Sequence, residues 1–535
     1  MKKIALVQAL AALGWVSVVP LGWAQGMPAQ TDTTAMPVEA LSLRAFVELI
    51  ASTDESVQVQ RLEERVAEES VKGAKGIYEP LAFASVDREN SFVPNTASEA
   101  LQRSNQFDYW SSVNQYKTGV GFKAPSGADL EISYNLSQIQ NSLQAASVLN
   151  IGSPEYRTYL GFKISQPLLR NAGRLPTEVS IRVAEQDQNV AKETVRQVLN
   201  QRIFDGLVAY MNVQRAQKRV SLRQQASDTA EKIWKEVQRQ ETVGLKSAGD
   251  LLDAESAANT RRLQLAQAQQ DLEEQLNTFR AFIAAREREQ GRSLMPRNYQ
   301  ASDPLTLFNI QVPGFSGSVG SGALKFDAMD PEFVKVSVES RPETRANRER
   351  IDRERVRENY AKEQQQPELN FSVRYGMEDL TARSYNNVTQ YLNGNRHTPY
   401  NSWSVGLLFK MGIFGDEKRK SEYAAAQLRR QQLELAQVAL EQRVANEVMS
   451  ALVVLDRSVA QVKRQQLIVD RQRESLKLES ALVDSGRKSA LDLMKRQLDV
   501  LMAEESLADS TVVANRASFI VSQSQGILLS RMGVE

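Results

Sequence analysis

The 535-residue chain has no cysteine and one histidine, His397. Without cysteine there is no thiol nucleophile, no cysteine-type zinc site, no disulfide and no lipid anchor on an N-terminal cysteine. With a single histidine, histidine-based general acid–base catalysis is close to excluded. No pattern calls for a metal or a cofactor, and an enzyme is not expected. An excess of either charge is also missing, with 66 basic against 65 acidic residues, which argues against a nucleic-acid binder living on phosphate contacts. Long apolar runs are absent except at the N-terminus. There Lys2 and Lys3 precede the stretch Ile4 to Val19, and a small-x-small site follows at Gly22-Trp23-Ala24. The stretch is broken by Gly14 and Pro20, so residues 1–24 read as a cleaved signal peptide rather than a membrane anchor. Beyond it nothing approaches the ~20 apolar residues of a membrane helix. The mature chain is therefore exported, and either soluble outside the cytoplasm or embedded as a β-barrel.

Glycine and proline are scarce in two long stretches. Thr177 to Thr242 holds no proline and one glycine, Gly206, and Asp416 to Ser485 holds neither. At 1.5 Å per residue these are helical rods of about 95 Å and about 105 Å. Each rod ends in a similar motif, Val243-Gly244-Leu245-Lys246-Ser247-Ala248-Gly249-Asp250-Leu251 and Ser485-Gly486-Arg487-Lys488-Ser489-Ala490-Leu491-Asp492-Leu493. Glycine takes the left-handed conformation past a helix end at little steric cost. Ser247 and Ser489 are N-cap candidates, with Asp250 and Asp492 three residues on completing a capping-box pattern. The spacing predicts two helical hairpins, returning from Asp250 to about Arg288 and from Asp492 to about Gln525.

What precedes each rod is also duplicated. Leu41 to about Gly76 has helical periodicity, and so has Pro331 to Gln365. Each is followed by a proline, Pro80 or Pro367, and then by alternation of period two. Strands are expected at 81–86, 160–165, 369–375 and 403–411, with Asn90 to Ser112 as loop and 120–136 as an extra hairpin, absent from the second half, that forms an extended extracellular feature. The first repeat is then 25–330, with strands within about 81–166, the hairpin 177–288 and an irregular Gly/Pro/Ser-rich insertion at 291–330. The second is 331–535, with strands within about 369–411 and the hairpin 416–525. Large apolar residues alternating with small or charged ones suit membrane strands facing lipid on one side and a polar lumen on the other. About four main strands cannot close a barrel alone, since membrane barrels start at 8. Two copies would bring 8 and three would bring 12.

In these features the chain resembles the TolC-like outer-membrane efflux ducts over nearly its whole mature length. The residues that carry the likeness are the Gly244…Asp250-Leu251 tip and its echo Gly486…Asp492-Leu493. Gln166-Pro167-Leu168-Leu169 closing a strand, Trp403-Ser-Val-Gly-Leu407 and Arg341-Pro342-Glu343 belong to the same pattern. The resemblance implies a mixed α/β membrane protein, a homotrimer with a 12-stranded barrel in outer-membrane lipid and a helical tunnel in the periplasm. The insertion at 291–330 would join an equatorial belt. The partners implied are a periplasmic adaptor (membrane fusion protein) and an inner-membrane transporter. Gly244, Leu245, Lys246, Ser247, Gly486, Arg487, Lys488 and Ser489 would meet the adaptor. Asp250, Asp492, Asp253 and Lys495 would form the periplasmic gate. The chain departs from some relatives in carrying Lys495 where they have a second acidic ring, and Val483 where they place a gate tyrosine. A network pairing Lys488 or Lys495 with Asp250 or Asp253 is expected instead. The competing class is an exported trimeric coiled-coil stalk or adhesin. It explains the rods but neither the strands nor the duplicated tips. An adaptor protein would need one hairpin flanked by small β domains, whereas this chain has two.

Overall fold

A computed structural model describes residues 39–103, 105–145, 154–284, 299–308, 310–315, 317–325, 330–381, 400–413, 415–485 and 487–534. The expected signal peptide at 1–24, His397 and Gly486 lie outside these residues, as does most of the first third of the 291–330 insertion.

Each half opens with a broken helix. In the first, α1 (Leu43–Thr53) and α2 (Glu55–Lys75) replace the single helix expected over 41–76. The break is made by Asp54, which leaves the helical region and caps α2 by accepting from the N–H groups of Ser56 and Val57 at 2.9 and 3.3 Å. Its carboxylate is buried and is held by the Arg202 guanidinium at 2.7 Å. In the second half the break between the helices Pro331–Ser340 (α7) and Pro342–Glu363 (α8) falls at Arg341. A residue before proline is pushed to extended backbone, and Arg341 has φ −69° and ψ 131°.

Two short strands, β1 (Glu39–Leu41) and β6 (Tyr299–Ala301), pair in parallel and tie the insertion to the start of the chain. The other six described strands, β2 (Leu81–Pro94), β3 (Asp108–Lys123), β4 (Asp129–Asn141), β5 (Glu155–Pro167), β7 (Glu368–Thr381) and β8 (Tyr400–Lys410), form one antiparallel sheet in the order β2-β3-β4-β5-β7-β8. Short helices α3 (Ala97–Gln102) and α4 (Ser142–Ala145) lie in its connections. This corrects two expectations. The sheet has six strands rather than about four, because the 120–136 hairpin lies within it. Much of the stretch expected as loop at 90–112 is also strand, where β2 runs on to Pro94 and β3 begins at Asp108. The polar run Asp87 to Ser91 interrupts the apolar alternation that marks a half-buried strand, so Phe92 and Val93 beyond it read as isolated residues, while backbone pairing continues and sets them opposite Trp110 and Tyr109.

From the sheet the chain leaves along two rods, α5 (Arg174–Thr242) and α9 (Glu417–Asp484). It returns along α6 (Ala248–Ala281) and α10 (Ala490–Ser524). The sheet and the two tips therefore lie at opposite ends of the rods. Where the first hairpin meets α1, Phe46, Ile50, Ile203, Leu207, Tyr210 and Phe279 form a fully buried core. Phe46 stacks on Phe279 with ring centroids 4.4 Å apart. A second core joins α9 to α10 through Val444, Val448, Leu452, Leu455, Ala514, Ala517 and Val521.

Candidate functional site

The register sorts the sheet into two chemically different faces. Residues directly opposite one another share a face, and Ala82, Val120, Ile132, Phe162, Tyr375 and Trp403 are opposite in turn across all six strands. Two residues along, Phe122, Leu130, Ile164, Val373 and Val405 make a second apolar row on that face. Val120, Ile132, Phe162, Tyr375 and Trp403 are large and uncovered by the chain itself, Trp403 at 73% exposure. The other face carries charge and glycine. Lys117 meets Glu131 at 2.8 Å, and Arg157 meets Glu378 at 3.0 Å. Gly161 and Gly376 share this face because Tyr159 lies flat across them. A Cβ on either glycine would come within 2.5 Å of the Tyr159 ring. The Arg374 guanidinium covers the same ring at 4.1 Å, a cation–π arrangement.

At the far end the two tips sit side by side. Ile233 and Val237 of α5 and Ala254 of α6 are buried with Leu491, Met494 and Leu498 of α10 packed against them. Gly244 takes φ +73°, the left-handed turn expected of it. The Ser247–Asp250 capping box forms: Asp250 accepts from the Ser247 N–H at 3.0 Å, and the Asp250 N–H donates to the Ser247 Oγ at 3.1 Å. The Ser247 N–H and hydroxyl, helped by the Lys246 charge, hold the Asp250 carboxyl below the usual carboxylate range. The second tip is built differently. Ser489 caps α10 by accepting from the Leu491 N–H at 3.0 Å, and among the described residues the Asp492 side chain takes no part. Asp253, Asp492 and Lys495 are exposed and form no ion pair among the described residues. The expected pairing of Lys488 with the first tip is corrected. Its ammonium instead reaches back 2.6 Å to Glu479, two turns up the rod of its own hairpin. Leu245, Arg487, Lys488 and Ser489 lie at the surface of the tips.

Between sheet and tips, residues that the sequence did not single out strap the insertion to the rods. Asp303 accepts from the Leu43 N–H at 2.7 Å and the Tyr210 hydroxyl at 3.0 Å. Burial pushes the Tyr210 phenol up to about 12. Asn515 accepts from the Phe308 N–H at 3.0 Å and donates to the Thr306 carbonyl at 2.8 Å. Asp456, fully buried, accepts from the N–H groups of Gly320, Ser321 and Leu324 at 2.6, 2.9 and 3.0 Å. A lone acid inside the apolar run Val453-Val454-Leu455-Asp456 was the readable signal. Lower down, Arg219 and Arg223 of α5 bind Glu505 of α10 at 3.1 and 2.7 Å, joining one hairpin to the other.

Among the described residues no group of three or more His, Cys, Asp or Glu could hold a metal ion, and no helix is long and apolar enough to cross a membrane. The profile of the outer membrane efflux protein family matches residues 127–285 and 334–518, well over half of the chain. No curated protein sequence matches the chain significantly. Several solved structures share the fold. The CmeC outer membrane channel of Campylobacter jejuni has a TM-score of 0.61 at 13% identity, over 91% of this chain and 86% of that one. The VceC outer membrane protein of Vibrio cholerae has a TM-score of 0.58 at 12% identity, over 90% and 96%. The open state of the MtrE outer membrane channel of Neisseria gonorrhoeae has a TM-score of 0.57 at 15% identity, over 91% and 89%.

Proposed function

Because the chain belongs to the outer membrane efflux protein family, we propose that it is the passive exit duct of a tripartite efflux or type I secretion system. It neither selects nor energises transport, and it is a conduit rather than an enzyme. Three copies form the duct. Their sheets close a barrel in outer-membrane lipid, and their rods line a tunnel through the periplasm. The observation that carries this reading is the pairing of an apolar-out, charged-in sheet at one end of the rods with two adjacent hairpin tips at the other. Closure by neighbouring copies also accounts for the apolar side chains that α9 leaves uncovered, among them Leu428, Leu435, Val438 and Leu467. At the tips, Gly244, Leu245, Lys246 and Ser247 and their counterparts Gly486, Arg487, Lys488 and Ser489 meet a periplasmic adaptor, which couples the duct to an inner-membrane transporter. Asp492, with Asp250, Asp253 and Lys495 near it, lines the narrowing. Threefold symmetry would place three Asp492 carboxylates in one ring, which attracts cations.

Single-channel conductance of the purified protein in a planar bilayer tests this, for wild type and Asp492→Ala. Small, cation-selective openings that grow or lose selectivity in the variant are expected. Openings indifferent to the substitution would remove Asp492 from the narrowing and keep the duct. Folded protein that forms no channel would overturn the duct.

A further inference from the structure

Relative to a four-strand copy, the two strands in excess are β3 and β4. We propose that this hairpin, Asp108–Asn141, forms two staves of the membrane barrel wall, so that each copy contributes six strands and the barrel is wider than four per copy would make it. The inference rests on the duct reading above and adds to it the dimension of the outer-membrane pore.

Three features carry it. The first is continuous pairing on both flanks. Leu81 to Pro94 of β2 opposes Gly121 to Asp108 of β3, and Asp129 to Ile139 of β4 opposes Ser165 to Glu155 of β5. A hairpin hanging off the barrel would leave β2 against β5. Here the two are separated by the hairpin. The second is chemistry. Val120 and Ile132 extend the uncovered apolar row that Phe162, Tyr375 and Trp403 continue, and Lys117 and Glu131 extend the charged face. A membrane stave needs this alternation on both of its sides, and an extracellular ornament does not. The third is the edges. Within the six-stranded sheet, among the described residues, only β2 and β8 are left with an unpaired side. Five successive antiparallel pairings make them run in opposite directions. β8 of one copy can therefore pair antiparallel with β2 of the next, leaving no edge open to lipid. With three copies the barrel holds 18 strands. Barrel diameter grows roughly linearly with strand number, so this pore is about 1.5-fold wider than a 12-stranded one. The limit on what passes then lies at the tips rather than in the membrane.

The absence of cysteine allows introduced pairs to be read without background. The full-length protein in phosphatidylcholine vesicles is oxidised and run on denaturing gels. Ser85→Cys with Lys117→Cys, directly opposite on the charged face, should bridge within one chain. Ser85→Cys with Ser404→Cys should bridge between copies, giving a ladder that ends at three. Ser85→Cys with Tyr159→Cys should not bridge. Bridging with Tyr159→Cys and not with Lys117→Cys would overturn the proposal. In a second measurement, single cysteines carry a fluorophore and the vesicles carry brominated acyl chains. Ile132→Cys should be quenched at least twofold more than Glu131→Cys, and equal weak quenching at both would also overturn it. Val405→Cys separates the two readings. Quenching there without quenching at Ile132→Cys defeats the hairpin proposal alone, and no quenching at either defeats the duct itself.

Discussion

The anchoring of the insertion by Asp456 can be tested at the level of single hydrogen bonds. The carboxylate is fully buried on α9, and its Oδ1 accepts from Gly320 and Ser321 while its Oδ2 accepts from Leu324. Hydrogen bonds to a charged acceptor contribute about 1.5–3 kcal/mol each when the freed donor stays buried, and less when water can replace the acceptor. The strap around Gly320 to Leu324 is half-exposed, so ~1 kcal/mol for each of the three bonds is the better figure. Asp456→Ala should therefore weaken the strap by about 3 kcal/mol, close to a hundredfold in local opening. Asp456→Asn keeps an acceptor at the Oδ1 position and puts an amide against the Leu324 N–H. It should cost about 1 kcal/mol, the loss of one bond. Hydrogen exchange of peptides spanning 317–325 reads this directly, with peptides from α9 as the control. Acid should reproduce the Ala variant. Burial alone would raise the Asp456 carboxyl, but the N–H groups of Leu324, Gly320, Gly322 and Ser321 outweigh it and hold it below the usual carboxylate value. A depressed folded value means the stabilisation is complete above about pH 4 and is lost as pH falls through the lowered value. If exchange at Gly320, Ser321 and Leu324 is unchanged in Asp456→Ala, the strap is held by packing and the reasoning fails.

Two further outcomes follow from the rods and tips. Ser247→Ala should speed exchange at the start of α6 roughly fivefold, the size of an ordinary N-cap loss, whereas Ser489→Ala should do less because no reciprocal box forms there. Equal effects at the two tips would show that the box does not matter. Lowering the pH through the depressed Asp250 value should loosen the first tip selectively. Glu505→Ala should lower stability by about 1–2 kcal/mol, because Arg223 loses its carboxylate while Arg219 keeps Asp271 and Asp509 at 3.4 Å. Thermal unfolding with and without salt reads this, and a variant as stable as wild type at low salt would show that Glu505 contributes nothing to holding the hairpins together.

The rods, the tips and the duplication were legible because each rests on local chemistry. A stretch of nearly seventy residues without proline and almost without glycine is far longer than a strand and continues as helix, and Gly244 marks its end by a backbone conformation that other residues resist. The breaks at Asp54 and the breadth of the sheet were not legible. Asp54 sits inside a periodic apolar pattern and stops the helix through a partner, Arg202, 148 residues away. The polar run Asp87 to Ser91 cuts the alternation of β2, and the aromatic and apolar residues beyond it, Phe92, Val93, Tyr109 and Trp110, are too few and too far apart in sequence to mark two strands by themselves. Only the backbone ladder from Asn90↔Ser112 to Pro94↔Asp108 reveals them. The strap residues Asp303 and Asn515 act across distances in sequence that no local pattern encodes, and the apolar run before Asp456 marks that acid as unusual without naming its partners at 320–324.

The duplicated tips have diverged in how each holds its acid. Both carry serine and aspartate at the same spacing, yet only Asp250 is consumed by its cap, bonded to the N–H and hydroxyl of Ser247. Its charge is already satisfied by local donors, which lowers its value as a field source for anything passing nearby. The Asp492 carboxylate is exposed and takes no hydrogen bond or ion pair from any described residue, so its charge faces outward. Lys488, the cation beside it in sequence, is drawn away to Glu479. On the duct reading the two acids are therefore not equivalent. Substituting Asp250 disturbs the shape of a tip, and substituting Asp492 changes the electrostatics of the opening while leaving the Ser489 cap in place.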